Sequence, residues 1–234
     1  MSYATDYAGA GGTVGGAVLP GNVRNLILFS PSYRDKSSGD PNSKATRETD
    51  TIYARGFKER ATIITNSAAS WRWRRIVFAL KGLTPLLGNG ATGLETSNGF
   101  VRLVPNYASV AATTARNNLE AILFRGNGLT DWINQITAKV DTARVTLLSD
   151  RTRTLNSGNA LGKYFKHSQW YPINKNIVYA NDESGEVENQ TFVSTTAKPG
   201  LGDVYVLDYF ECSTNQAGDT LFFEPECTFY WHEK

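Results

Sequence analysis

The stretch WRWRRIVFALKG, from Trp71 to Gly82, joins three arginines and two tryptophans to an uninterrupted apolar run. The run from Ile76 to Leu80 is short, rich in β-branched and aromatic residues, and bounded by a charge and a glycine, which is typical of a buried sandwich strand. Upstream, TIYARGFKERATIITN (Thr51 to Asn66) repeats the arrangement, with three cations leading into a second strand pattern. We therefore predict two neighbouring strands that display cations at the rim of one β core.

These cations have two interpretations. Guanidinium groups match phosphate geometry and tryptophan faces can stack on bases, so the pattern indicates an anionic polymer as a partner. Arginines beside a strand also occur as solubilising residues that prevent aggregation and bind nothing. Composition alone leaves both interpretations open.

Length and composition favour a single all-β domain. The chain has 234 residues, with 12% aromatic residues and 21 glycines spread along it, and a sandwich of this size folds as one unit. No apolar run approaches the roughly 18 residues that cross a bilayer, and the start lacks the pattern of a signal peptide. We expect a protein that is neither membrane-bound nor secreted.

The order of apolar runs predicts about eight principal strands with long loops between them, which fits an antiparallel eight-stranded jelly-roll sandwich. A short surface helix is expected where Trp132, Ile133, Ile136 and Val140 recur at helical spacing. Further expectations are an apolar run at Leu119–Phe124, a strand pair at Lys163–Tyr179 broken at Pro172, and a final hairpin around Asn215–Gly218. Residues 1–22, with no lysine or arginine, are predicted as a flexible arm, and residues 23–234 as the single jelly-roll domain.

Charge is unevenly distributed along the chain. Arg24 to Lys81 contains twelve basic and five acidic residues, whereas Asp182 to Lys234 contains two basic and eleven acidic ones. Such segregation suits a nucleic acid on the basic side, or copies of the same chain that meet basic to acidic. Alternatively, the fold interleaves the two segments and their fields cancel.

The sequence contains no motif for catalysis or for a cofactor. Walker, dinucleotide-binding, zinc-protease, serine-hydrolase and EF-hand patterns are absent, and the glycine-rich AGAGGTVGG (Ala8 to Gly16) follows no predicted strand. Cys212 and Cys227 form no CxxC pair, so we expect thiols and no zinc site. A cation site at Asp182, Glu183 and Glu186 competes with the simpler interpretation of a solvated acidic turn. We expect no enzyme, no cofactor and no metal.

Four blocks of the sequence resemble one family. RGFKERATIITNSAASWRWRRIVFALKG, TAKVDTARVTLLSDRTRTLNSGN, KHSQWYPINKNIVYANDESGE and VYVLDYFEC…LFFEPECTFYWHEK are similar, in order, to the capsid proteins of genomoviruses, which are small circular single-stranded DNA viruses. The likeness spans from about Arg55 to the last residue. It implies a jelly-roll subunit that assembles with itself into the smallest icosahedral shell, encloses a single-stranded DNA circle, and occurs in the virion and the host nucleus.

Capsid proteins of this kind usually begin with an arginine- and lysine-rich arm, whereas the first basic residue here is Arg24. The lineage lacks the arm, the sequence is trimmed, or a second factor supplies the charge; the residues leave all three open. Non-specific phosphate contacts with DNA are then expected from the basic rim, with two lysines as second choice. These residues are Arg24, Arg55, Lys58, Arg60, Arg72, Arg74 and Arg75, followed by Lys163 and Lys166.

Two further hypotheses follow. Replacing Arg72, Arg74 and Arg75 by alanine is expected to reduce DNA packaging more than folding, unless these groups pair with acids such as Glu224 or Glu226 of neighbouring subunits. The alternative function is a jelly-roll module that binds a glycan, with Trp71, Trp73, Trp170 and Tyr171 as a stacking platform. The platform requires these four rings to be exposed in one groove.

Overall fold

The computed structural model describes residues 2–3, 16–36, 46–87, 93–96, 99–184, 187–189 and 191–233. These ranges contain strands and one α-helix, α1, which spans Thr113–Leu123. In chain order the strands are β1 (Ser2–Tyr3), β2 (Ala17–Pro20), β3 (Asn25–Phe29), β4 (Thr51–Thr65), β5 (Trp71–Leu80), β6 (Gly93–Thr96), β7 (Gly99–Val104), β8 (Thr146–Leu155), β9 (Tyr164–Val178), β10 (Asp182–Ser184), β11 (Val187–Asn189), β12 (Asp203–Cys212) and β13 (Thr220–Glu233). Short 3-10 turns at Thr84–Leu87 and Val110–Ala112 complete the described elements.

Two four-stranded sheets form a sandwich. One has the order β3-β12-β5-β8 and the other β2-β13-β4-β9, and every neighbouring pair in them is antiparallel. Numbered along the chain, the eight strands read 2-7-4-5 in one sheet and 1-8-3-6 in the other, which is the arrangement of an eight-stranded jelly roll. The predicted fold is confirmed.

The first hydrophobic core lies between the two sheets. Large rings such as Trp71, Trp73, Phe57 and Phe223 fill it and are almost completely buried. In β4 the buried positions alternate with exposed ones, because successive side chains of a strand point to opposite faces. The sheet β2-β13-β4-β9 therefore has one face in the core and one face in contact with solvent, and we call it the open sheet.

A second core covers the other sheet. Helix α1 and its flanking loops belong to the long connection of residues 81–145 between β5 and β8, which we call the insertion. Its apolar side chains, including Leu119 and Leu123, pack against Ile76 and Phe78 on the outward face of β5. The sheet β3-β12-β5-β8, called the covered sheet, is thus buried on both faces, which explains why β5 shows an uninterrupted apolar run.

The predicted helix at Trp132–Val140 is wrong. Single turns occupy this stretch, one of them closed by Asn134, whose side-chain oxygen accepts from the amide of Ile136, and Ile133 is 81% exposed. The helix lies upstream, where Ala115, Leu119 and Leu123 recur four residues apart and form the buried stripe. The apolar run at Leu119–Phe124 is thus the end of this helix.

Other local predictions also change. Strands β4 and β5, predicted as neighbours, lie in opposite sheets. Strands β12 and β13 also lie in different sheets, so they do not form the predicted hairpin. The stretch predicted as a strand pair is the single strand β9, which accommodates Pro172 because β9 is an edge strand.

The predicted N-terminal arm is ordered in part. Residues 17–20 form β2 and pair with β13, where Leu19 faces Leu221 and is fully buried. Ser2–Tyr3 pairs in parallel with Leu103–Val104. The prediction relied on the composition of residues 1–22 as a whole and therefore missed the short apolar segment at 17–20. Residues 4–15 lie outside the described residues.

Candidate nucleic-acid interface

The solvent face of the open sheet carries four of the predicted DNA-binding residues. Lys58 and Arg60 point outward from β4. Lys166 on the adjacent strand β9 is paired with Thr62, two residues after Arg60, and is also exposed. Arg55 is the unpaired residue of the bulge between Ala54 and Gly56 in β4, and it is exposed to solvent. Among the described residues none of these four cations has an ion-pair partner, so their charges are available to an anion from solution.

An exposed pair of aromatic rings adjoins these cations. Trp170 on β9 is 50% exposed and Tyr230 on β13 is 44% exposed, and their ring centroids are 5.5 Å apart. Between them lies Gly56 of β4, which is in register with Pro172 and Tyr230. A cavity of about 560 Å³ opens at this point and is lined by Arg55, Trp170, Phe229, Tyr230, Trp231 and His232.

Strand β13 adds negative charge to the same face. Glu226 is exposed and opposite Arg60, and Glu224 is half-buried and opposite Thr62. The face is therefore divided into a basic strip on β4 and β9 and an acidic strip on β13. The region around Trp170 and Lys58 belongs to the basic strip, since Thr228 is the residue of β13 opposite Lys58.

Arg24 and Arg72 lie elsewhere, at one end of the covered sheet, and share one carboxylate. Arg24 donates to one oxygen of Glu211 and Arg72 to the other. Burial opposes ionisation of Glu211, but the hydrogen bonds and charges of Arg24 and then Arg72 outweigh it and lower its pKa. Arg24 also lines a cavity of about 650 Å³ beside helix α1.

Arg74 is buried and holds the insertion onto the covered sheet. Its Nε and Nη2 donate to both oxygens of Asp150, at 3.0 and 2.7 Å. Its Nη1 donates to the carbonyls of Gln135 and Ala138, at 2.6 and 2.7 Å, and its guanidinium lies over the Phe124 ring. The DNA contact predicted for Arg74 is not compatible with this burial, and its role is structural.

Arg75 points the other way, into the core between the sheets, and binds two buried carboxylates. Its Nε and Nη2 donate to the two oxygens of Asp208 at 2.7 Å each, and Nη1 donates to Glu59. The indole of Trp73 donates to Asp208 at 2.6 Å. Burial disfavours the charged form of Glu59 more than the neighbouring Arg75 favours it, so the pKa of Glu59 is raised to about 7. The predicted DNA contact of Arg75 is likewise replaced by a structural role.

The proposed alanine replacement of Arg72, Arg74 and Arg75 must be reinterpreted for this reason. Two of these side chains are buried in ion pairs within one chain, so their removal acts on folding. Only Arg72, whose side chain is 46% exposed, remains accessible. Lys163, the remaining predicted contact, is exposed immediately before β9, with its ammonium over the Phe165 ring.

The four rings of the predicted glycan platform do not share a groove. Trp71 and Trp73 are in the core between the sheets, and Tyr171 packs there against Phe57 at 4.7 Å. Only Trp170 faces solvent. The exposed ring next to it is Tyr230, which sequence reasoning missed although its alternation with Phe229 and Trp231 marks it as outward-facing.

The described residues contain no cluster of metal ligands. They hold no group of three or more His, Cys, Asp or Glu side chains that could bind a metal ion, and Glu186 of the acidic turn lies outside them. Cys212 and Cys227 are thiols, the first buried and the second half-buried. His167 contacts Arg153 at 2.8 Å, and burial, followed by the charges of Arg153 and Arg75, lowers its pKa. No described helix has the length and apolar character of a membrane span.

Comparison with known proteins adds no assignment. The sequence matches no family model and no curated protein, so the functional argument depends on the residues and geometry of this chain.

Proposed function

We propose that the protein is a viral capsid subunit that assembles with copies of itself into a small icosahedral shell and packages circular single-stranded DNA. In this proposal the DNA is held by non-specific phosphate contacts at the basic strip of the open sheet. The protein acts as a structural component of the virion, assembles in the host nucleus, and needs no cofactor or catalytic residue.

One observation carries the proposal. A jelly-roll sandwich leaves one sheet face bare, and that face presents Arg55, Lys58, Arg60 and Lys166 without ion-pair partners among the described residues. Cations that only maintain solubility are usually interspersed with acids, whereas these follow two adjacent strands as a strip. A strip of this kind suits a polyanion whose phosphates recur along a line. The likeness of four sequence blocks to genomovirus capsid proteins supports the same proposal.

Self-association is supported by the acidic strip. Glu224 and Glu226 form this strip on β13, and a second copy can approach it with exposed cations that lie outside the DNA-binding basic strip. Each such contact can be weak, because a closed symmetric shell multiplies it over many copies.

Electron microscopy of the purified protein tests the proposal. We expect closed particles of uniform diameter, formed more readily when a circular single-stranded DNA is added and less readily at high salt. The matched variant Lys58→Ala with Arg60→Ala should form fewer DNA-containing particles. A protein that stays monomeric at high concentration, in low and high salt and with DNA, would overturn it.

A further inference from the structure

The cavity beside Trp170 and Tyr230 has features that phosphate binding alone does not need. Both rings expose about half of their surface, although large aromatic side chains gain most by burial. Their interplanar angle is 60°, so the rings do not cover each other's faces. At least one π-face is therefore open to solvent at the cavity.

The local backbone explains one part of this arrangement. Gly56 has a φ of 151°, and a Cβ there would lie 2.3 Å from the Tyr171 carbonyl oxygen and 2.8 Å from the Trp170 ring. The indole thus rests on a glycine, and an aromatic cover of this kind protects the sheet at that point. Covering Gly56 needs one apolar side chain, however, and leaves unexplained the second ring and the cations around it.

The cations complete a set that matches a nucleotide. Arg55 lines the cavity, and Lys58 is directly opposite Trp170 in the register of β4 and β9. Both lack an ion-pair partner among the described residues. An aromatic face flanked by two cations offers a stacking surface for a base and countercharges for the phosphates on either side.

We infer that this cavity is a base-stacking site, in which an unpaired nucleobase of single-stranded DNA packs on Trp170 and Tyr230 while Arg55 and Lys58 bind the flanking phosphates. The inference rests on the proposed function and adds to it a reason for preferring single strands. The bases of a duplex are already stacked on one another, so only an unpaired base has a free face for the indole. Stacking on a ring does not distinguish one base from another, as packaging of a whole genome requires.

Binding to two oligonucleotides of equal length and charge tests the inference. One is a short oligothymidylate and the other replaces its bases by abasic sites, so the phosphates are matched and only the bases differ. We expect the native protein to bind the oligothymidylate about 5- to 150-fold more tightly, which is the range for one base stacked on an aromatic ring. Fluorescence anisotropy of labelled oligonucleotides measures both affinities.

Three variants isolate the ring from the charge. Trp170→Leu retains an apolar cover over Gly56 but has no π-face, so it should lose the preference for bases. Tyr164→Leu removes another exposed ring of β9, outside the cavity, and should keep the preference. Lys58→Ala should weaken binding of both oligonucleotides by a similar factor. Thermal unfolding checks that each variant is folded.

The outcomes separate the inference from the proposed function. If the native protein binds both oligonucleotides equally, or Trp170→Leu keeps the preference, the stacking site is refuted while the shell proposal stands. Particles that form without DNA and protect Trp170 from acrylamide quenching would identify the rings as a subunit contact and also refute it. If the protein neither assembles nor binds DNA, the proposed function fails first.

Discussion

Replacing Arg75 by methionine should strongly destabilise the protein. The guanidinium bonds two carboxylates, Asp208 and Glu59, inside the core between the sheets, where the three side chains are at most 5% exposed. Without it, both acids remain buried and lose their partner. Breaking a buried ion pair from one side costs about 3 to 5 kcal/mol.

A second route gives a similar magnitude. A buried carboxylate without a partner takes up a proton, and this costs about 1.4 kcal/mol for each pH unit above the ordinary carboxyl pKa, so about 4 kcal/mol at pH 7. The raised pKa of Glu59, about 7, means that this acid is already partly protonated at neutral pH. Protonation of Glu59 therefore accounts for only part of this cost, and the cost should decrease as the pH is lowered.

Urea unfolding followed by tryptophan fluorescence measures the effect, since Trp73 contacts the cluster. The matched control is Arg72→Met, three residues earlier in β5, whose partly exposed ion pair with Glu211 should contribute less than about 1 kcal/mol. A triple variant with Arg75, Glu59 and Asp208 all replaced by apolar residues should recover most of the lost stability. A loss below about 1 kcal/mol for Arg75→Met at pH 7.5, or a triple variant as unstable as the single one, would refute this reasoning.

Three further predictions follow from the same structure. The unfolding free energy should fall as pH rises from about 4 to about 7. Burial raises the pKa of Glu59 and of Asp203 to about 7, so in this range the folded state keeps protons that the unfolded state releases. Denaturant titrations at several pH values test this, and a stability that does not change with pH would contradict it. Arg74→Met should lower the unfolding free energy by about 2 to 4 kcal/mol and make the loop after helix α1 accessible to protease, because the hydrogen bonds that hold this loop to the covered sheet are removed. A digestion pattern that matches the native protein would contradict this role. Replacing Lys58 and Arg60 by alanine should reduce the magnitude of the slope of log affinity against log salt concentration for single-stranded DNA by about 1.4, since each of the two lost phosphate contacts contributes about 0.7. An unchanged slope would mean that the phosphate contacts lie elsewhere.

Strand alternation made most of the architecture predictable. The number of principal strands and the sandwich follow from apolar runs. Lys58 and Arg60 were expected at the rim of the core, whereas they lie within β4 and face solvent because they alternate with buried residues. The helix was misplaced because the spacing of Trp132 and Ile136 mimics a helical stripe, whereas the turns around Asn134 determine the local structure.

The same alternation contained information about the site that cation counting missed. Arg75 shares its parity with Trp73 and Val77, which are core residues, so its side chain had to enter the sandwich. Glu59 has the parity of Phe57, which marks it as the acid that meets this arginine. Tertiary pairing across the sheets remains inaccessible from one sequence, since no local pattern shows that β4 and β5 face each other across the core.

The covered sheet belongs to both hydrophobic cores, and this determines how the molecule comes apart. Strands β5 and β12 contribute one set of side chains to each core, so displacing these strands would disrupt the packing of both cores at once. The insertion and the sandwich should therefore melt in a single cooperative transition, with the amides of these two strands exchanging with deuterium only through global opening.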